Sequence, residues 1–134
     1  MRYDFTLIQD LCKELGLLSR VRSNQFLEVQ FDQGAMLCFQ NAERDKDCLV
    51  GFDGTPWHTH DDFIFDDGKG NFIEMNYFDV LTGLNDGHVL ICERWQQGKL
   101  TDRWLVHCEY NDEFNYLGKG DEIRVRRPRV PNFK

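Results

Sequence analysis

Serine is almost missing from this chain of 134 residues: Ser19 and Ser23 are the only two, both in the polar stretch LSRVRSN. Neither has the Gly-x-Ser-x-Gly surroundings that present a serine nucleophile, which argues against serine hydrolysis. No C-x-x-C pair occurs among Cys12, Cys38, Cys48, Cys92 and Cys108. An odd number of cysteines without zinc-ribbon spacing implies reduced thiols packed as small hydrophobes, not a disulfide framework. There is no G-x-G-x-x-G and no P-loop, and Gly68-Lys69-Gly70 is a turn whose neighbouring acids repel phosphate. No apolar run approaches the roughly eighteen residues of a membrane span. The opening MRYDFTLIQDLCKEL carries charges every few residues and lacks an apolar run of signal-peptide length, so a cytoplasmic location is expected.

Positive charge is the next scarcity. Residues 1–67 hold 6 bases against 13 acids, whereas residues 68–134 hold 10 of each, so the whole formal charge of −7 lies in the first half. Between Asp53 and Asp67 there are five aspartates and no Lys or Arg, while from Arg124 to Lys134 there are five bases and no acid. Nucleic acid is therefore not expected as a partner of the main body, since phosphate binding needs concentrated positive charge. The basic tail, 128–134, is the exception.

What the chain has is apolar material: 41% hydrophobic residues and 13% aromatics, eleven of them phenylalanine. A chain of this length buries roughly two thirds of its unfolded surface, and a single globular domain over 1–134 is the expectation.

The pattern begins with a helix over 6–15, within an amino-terminal helical region 1–18. Thr6 with Gln9 has capping-box spacing, Gly16 supplies the stop, and Leu7, Leu11 and Leu15 with Ile8 and Cys12 form the apolar stripe. A linker, 18–24, leads to period-two alternation. Leu27, Val29 and Phe31 turn at 32–34 into a return strand over 35–40, and further strands follow over 48–52, 57–65, 72–77, 88–95, 100–110 and 122–127. A short helical excursion near 79–86 has Asp79 at its cap, Val80, Leu81 and Leu84 inward, and Gly83 keeping it short. The strand over 88–95 is apolar on both faces and is expected at the centre of its sheet.

These elements predict an α+β fold: the amino-terminal helix packed on a strongly curled, mainly antiparallel sheet of six to eight strands spanning 24–127. Partial closure towards a small barrel is the alternative.

The chemically dense stretch is VGFDGTPWHTHDDFIF, 50–65. Continuous alternation from Trp57 puts Trp57, Thr59, Asp61, Phe63 and Phe65 on one face and His58, His60, Asp62 and Ile64 on the other. Two same-face histidines at i and i+2 can chelate one divalent metal such as zinc, with a closed site drawing on His88, His107, Glu74 or a cysteine. Catalytic pairs are poor: His107 and Cys108 are adjacent and point to opposite faces, as do Asp61 and Asp62. No catalytic residue is assigned and no cofactor is required.

The balance points to a small acidic binding module with Asp53, Trp57, Asp61, Asp62, Asp66 and Asp67 as the partner-binding set, steering by charge and anchoring by an aromatic. Its concrete form is a bacterial immunity protein that neutralises a basic toxin or nuclease. The alternatives are a metal-binding protein or metalloenzyme using His58 and His60, and a small-ligand binder in an aromatic-lined sheet.

Overall fold

The computed structural model of the protein describes residues 2–31, 34–60, 62–111 and 121–127. Asp61, part of the expected 32–34 turn and the basic tail lie outside the described residues. The chain is α+β, with two helices and ten strands among the described residues, and it divides into two compact units. The first comprises the described residues of 1–54 and 58–61, the second those of 55–57 and 62–128.

In the first unit, α1 (Phe5–Leu15) precedes a five-stranded antiparallel meander, β1 (Leu18–Ser23), β2 (Phe26–Gln30), β3 (Met36–Gln40), β4 (Leu49–Phe52) and β5 (His58–Thr59), in that spatial order. Asp4, not Thr6, caps α1: its carboxylate accepts from the Leu7 amide at 3.1 Å, and Gly16 closes the helix at φ 76°. Ile8 and Cys12 are fully buried, whereas Leu7 is exposed, so the stripe is centred one residue further round the helix than the leucine spacing implies. Leu27, Phe39 and Val50 face one another across the ladder, as do Val29, Leu37 and Phe52, and all six are buried. Tyr3 packs edge-on against Phe39 at 5.2 Å, and buried Asn41 exchanges two hydrogen bonds with the Tyr3 backbone at 2.8 and 2.9 Å, tying the chain start to the end of β3.

The expected linker 18–24 is mostly strand. Arg20 and Arg22 resemble a solvated connector in sequence, but on β1 they lie 3.3 and 3.6 Å from the carboxylate of Glu28, which is only 2% exposed.

In the second unit, β6 (Phe63–Asp66) and β7 (Phe72–Met75) form a two-stranded hairpin, followed by α2 (Tyr77–Asp86) and a three-stranded antiparallel sheet of β8 (Val89–Gln96), β9 (Lys99–His107) and β10 (Asp121–Arg126). The strand β8 is central, as its two apolar faces require, with Val89, Ile91 and Cys92 fully buried. Asn76, not Asp79, caps α2, accepting from the Asp79 amide at 2.9 Å. Gly83 does not shorten this helix but lies inside it. A Cβ there would come within 2.7 Å of the Val89 side chain, so the glycine is what lets α2 approach β8. On β8, Glu93 is 4% exposed and paired with Arg103 of β9 at 2.8 Å. Arg124 of β10 lies over the Trp95 ring at 4.2 Å, and the Trp95 indole donates to Glu93 at 3.3 Å.

The strongly curled sheet and the partly closed barrel are both overturned: the strands form three open sheets. Continuous alternation over 57–65 conceals the reason. β5 is two residues long, the backbone bends at His60 and Asp62, and β6 then pairs with β7 alone. That break and the strand at 18–23 raise the count above the expected six to eight. Among the described residues no helix is long and apolar enough to cross a membrane.

Candidate functional site

The β6–β7 hairpin has two unlike faces. Its register pairs Phe63 with Met75, Ile64 with Glu74, Phe65 with Ile73 and Asp66 with Phe72. Phe63 and Phe65 are buried and stacked 6.3 Å apart, Trp57 lies 6.3 Å from Phe63, and Phe65 is 6.0 Å from His107. The opposite face carries Ile64 and Phe72, each 63% exposed, beside the exposed carboxylates of Asp66 and Glu74. Apolar side chains of that size are usually covered, and covering each would stabilise an assembly by roughly 1–2 kcal/mol.

The turn of this hairpin is built by aspartate. Asp67 accepts from the Lys69 amide at 2.8 Å, the Asn71 amide at 3.2 Å and the Asn71 side chain at 2.9 Å, while Asp66 accepts from the Gly68 amide at 2.9 Å. The Asn71 side chain and then the Lys69 amide hold the Asp67 carboxyl below its ordinary range. Asp67 is thus a turn-forming residue as well as a charge.

The other expected site residues differ among themselves. Asp53 is exposed, belongs to the first unit and donates its amide to Met36 at 2.9 Å. Trp57 is half-buried, its amide donating to Asp102 at 3.1 Å. Asp62 has one carboxylate oxygen buried with no hydrogen-bond partner among the described residues, so it is not the solvated acid the sequence suggests. Asp61 lies outside the described residues.

His58 and His60 do lie together, ring centroids 5.1 Å apart and edge-on. The His60 Nδ1 meets the Cys48 carbonyl at 2.9 Å and must donate to it, leaving Nε2 as the nitrogen able to bind a ligand. Among the described residues no group of three or more His, Cys, Asp and Glu side chains is placed to hold a metal ion. Cysteine chemistry is opposed by burial, which, with the Asp53 and Glu28 carboxylates, pushes the Cys38 thiol up to about 12. Burial likewise takes Cys12 up to about 11, and Cys108 is the one exposed thiol.

A groove of about 330 Å³ lies within the second unit, lined by β7, α2 and the neighbouring ends of β8 and β9. Glu74, Asp79, Asp86, His88 and His107 line it, with Ile73 and Met75 as its apolar part. The Asp86 carboxylate takes the His88 imidazole at 2.7 Å and the His88 amide at 3.0 Å. Burial opposes ionisation of Asp86, but these bonds and the Arg127 charge prevail and hold its pKa below the ordinary value. His107 is only 5% exposed and accepts from the Glu109 amide through Nδ1 at 3.1 Å, which puts its proton on Nε2. Burial, aided by His88, holds this imidazole below its usual pKa against the pull of Glu109 and Asp86.

Ile64, Phe72 and the groove were missed as site elements by sequence reading. The signal for the first two is that FIF and NFI place apolar residues on both faces of a short hairpin, and a two-stranded ribbon has an open side. Compared with known proteins, the chain matches no family model, no curated protein and no solved structure.

Proposed function

We propose that the protein is an acidic binding module, in its most concrete form an immunity-type protein that neutralises a basic toxin or nuclease, and that the Ile64–Phe72 face of the β6–β7 hairpin is its docking surface. The observation that carries this reading is the pairing on one ribbon of two largely exposed hydrophobes with exposed carboxylates. Apolar contact supplies a desolvated centre, and the acids, within a chain of formal charge −7, steer a cationic partner and disfavour acidic ones. Asp67 adds to the field; Trp57 supports the hairpin from its inner side.

The test is capture by the tagged protein from a lysate of its source cells, first at low and then at moderate salt, followed by binding of the purified pair. One basic protein captured in stoichiometric amount, released as salt rises and bound at least tenfold more weakly by Ile64→Ser with Phe72→Ser, supports the proposal. A purified pair indifferent to that double substitution overturns the hairpin assignment.

The 5.1 Å approach of His58 and His60 favours one second reading, a divalent metal site such as zinc. Metal analysis of the purified chain tests it: about one metal per chain, lost on His58→Ala with His60→Ala, would move this reading ahead.

A further inference from the structure

We infer that His58 and His60 from two copies of this chain together hold one zinc ion, which links the copies as a dimer; this rests on the metal reading above and adds what completes the site. The two ring centroids lie 5.1 Å apart. Two imidazoles bound to one tetrahedral zinc, with Zn–N bonds of about 2.0–2.1 Å, place their centroids about 5 Å apart, so the observed spacing suits a shared ion. The Cys48 carbonyl takes the His60 Nδ1 proton at 2.9 Å, which leaves the lone pair on Nε2. A carbonyl on the second nitrogen is the usual way in which a metal-binding imidazole is fixed in tautomer and orientation. His58 is exposed, and its cross-strand partner is Gly51, which has no side chain to compete for the ring.

Two ligands do not close a zinc site. Four are needed, and among the described residues no third His, Cys, Asp or Glu is placed to join the pair. A second copy supplies the missing half: two identical chelates related by a two-fold axis through the ion give four imidazoles in a tetrahedral array. Among the described residues β5, which carries His58, is an edge strand of its sheet, so no further strand bars a second copy from its outer side. Charge makes the link depend on the metal. The pair lies within the stretch 53–67, which has five aspartates and no Lys or Arg, in a chain of formal charge −7. Two such surfaces repel each other without the ion and are drawn together around it.

The experiment follows the full chain by sedimentation velocity, first in EDTA and then with increasing zinc chloride, with metal analysis of the sedimenting species. The expected result is a monomer in EDTA, a doubling of mass with zinc at about one ion per two chains, and reversal when EDTA is restored. His58→Ala, at an exposed position, should weaken zinc-driven dimerisation at least about tenfold, since a ligand counts for no less than the outer-shell partner that orients it. His60→Gln should do the same; urea unfolding checks that each variant is folded, and His58→Ala alone decides if His60→Gln is not. One zinc per chain on a monomer overturns the second copy as the completing partner and leaves the metal reading standing. No zinc bound at about a millimolar overturns both. A dimer that persists in EDTA, or that zinc still forms undiminished with His58→Ala, overturns the inference as well.

Discussion

Two antiparallel ribbons in this chain carry charged faces, β1–β2 and β6–β7, and they dispose of that charge in opposite ways. On β1–β2 the Glu28 carboxylate is buried and closed by Arg20 and Arg22 of the neighbouring strand. On β6–β7 the Asp66 and Glu74 carboxylates stay in water, with no ion pair among the described residues, beside two exposed hydrophobes. The three-stranded sheet repeats the first arrangement, Glu93 being held by Arg103 and the Trp95 indole. Glu28 and Glu93 are matched within the chain and belong to the fold. The hairpin acids Asp66 and Glu74 face no cation among the described residues, although Asp66 also accepts from the Gly68 amide.

The sharpest way to break this distinction is to remove a closed acid. Glu93→Ala leaves the Arg103 guanidinium buried without its carboxylate and is expected to cost about 3–5 kcal/mol, read from urea unfolding. Glu28→Gln should cost about 1 kcal/mol, because Arg20 and Arg22 are more than half exposed and regain water. Equal losses at the two positions would erase the difference between a sealed pair and a rim-closed one.

Gly83→Ala comes next. The new methyl meets Val89 within 2.7 Å, and overpacking of this kind costs about 1–3 kcal/mol. An unfolding midpoint equal to that of the parent would show that α2 can shift away from β8 freely.

A smaller effect is set by pH. His107 is held below its ordinary value of 6.5, so the unfolded chain takes up this proton first as pH falls. Its contribution to stability is present above about 6.5 and is lost as pH falls through the lower folded value. His107→Gln should flatten the slope of unfolding free energy against pH in that window; an unaltered slope would assign it to other groups.

The smallest stability effect is expected where the binding effect is largest. Ile64→Ser with Phe72→Ser should leave the unfolding free energy within about 0.5 kcal/mol, since neither side chain belongs to the core. A larger loss would show that the two residues support the hairpin itself.

Much of the fold is legible in the sequence because it rests on local rules. The Gly16 stop, the apolar strand 88–95 and the aspartate turn at 66–71 appear as read, since each depends on a few neighbouring residues. Where reading fails, a distant partner decides. Arg20 and Arg22 look like linker until Glu28 is beside them, and Gly83 looks like a helix breaker until Val89 is packed on it. The alternation over 57–65 cannot show that the strand breaks, because period-two patterning is the same in one strand and in two. The site divides likewise: the acids at 66 and 67 were evident from composition, whereas the exposure of Ile64 and Phe72 depends on what covers the hairpin.

The central claim is that the hairpin acids are uncommitted charge. It is tested most directly by the association rate of the purified pair as salt is raised, for the parent chain and for Asp66→Lys with Glu74→Lys. The parent rate should fall steeply with salt, the reversed chain should associate at least tenfold more slowly at low salt, and the two should converge at high salt. Identical rates at every salt concentration would contradict it.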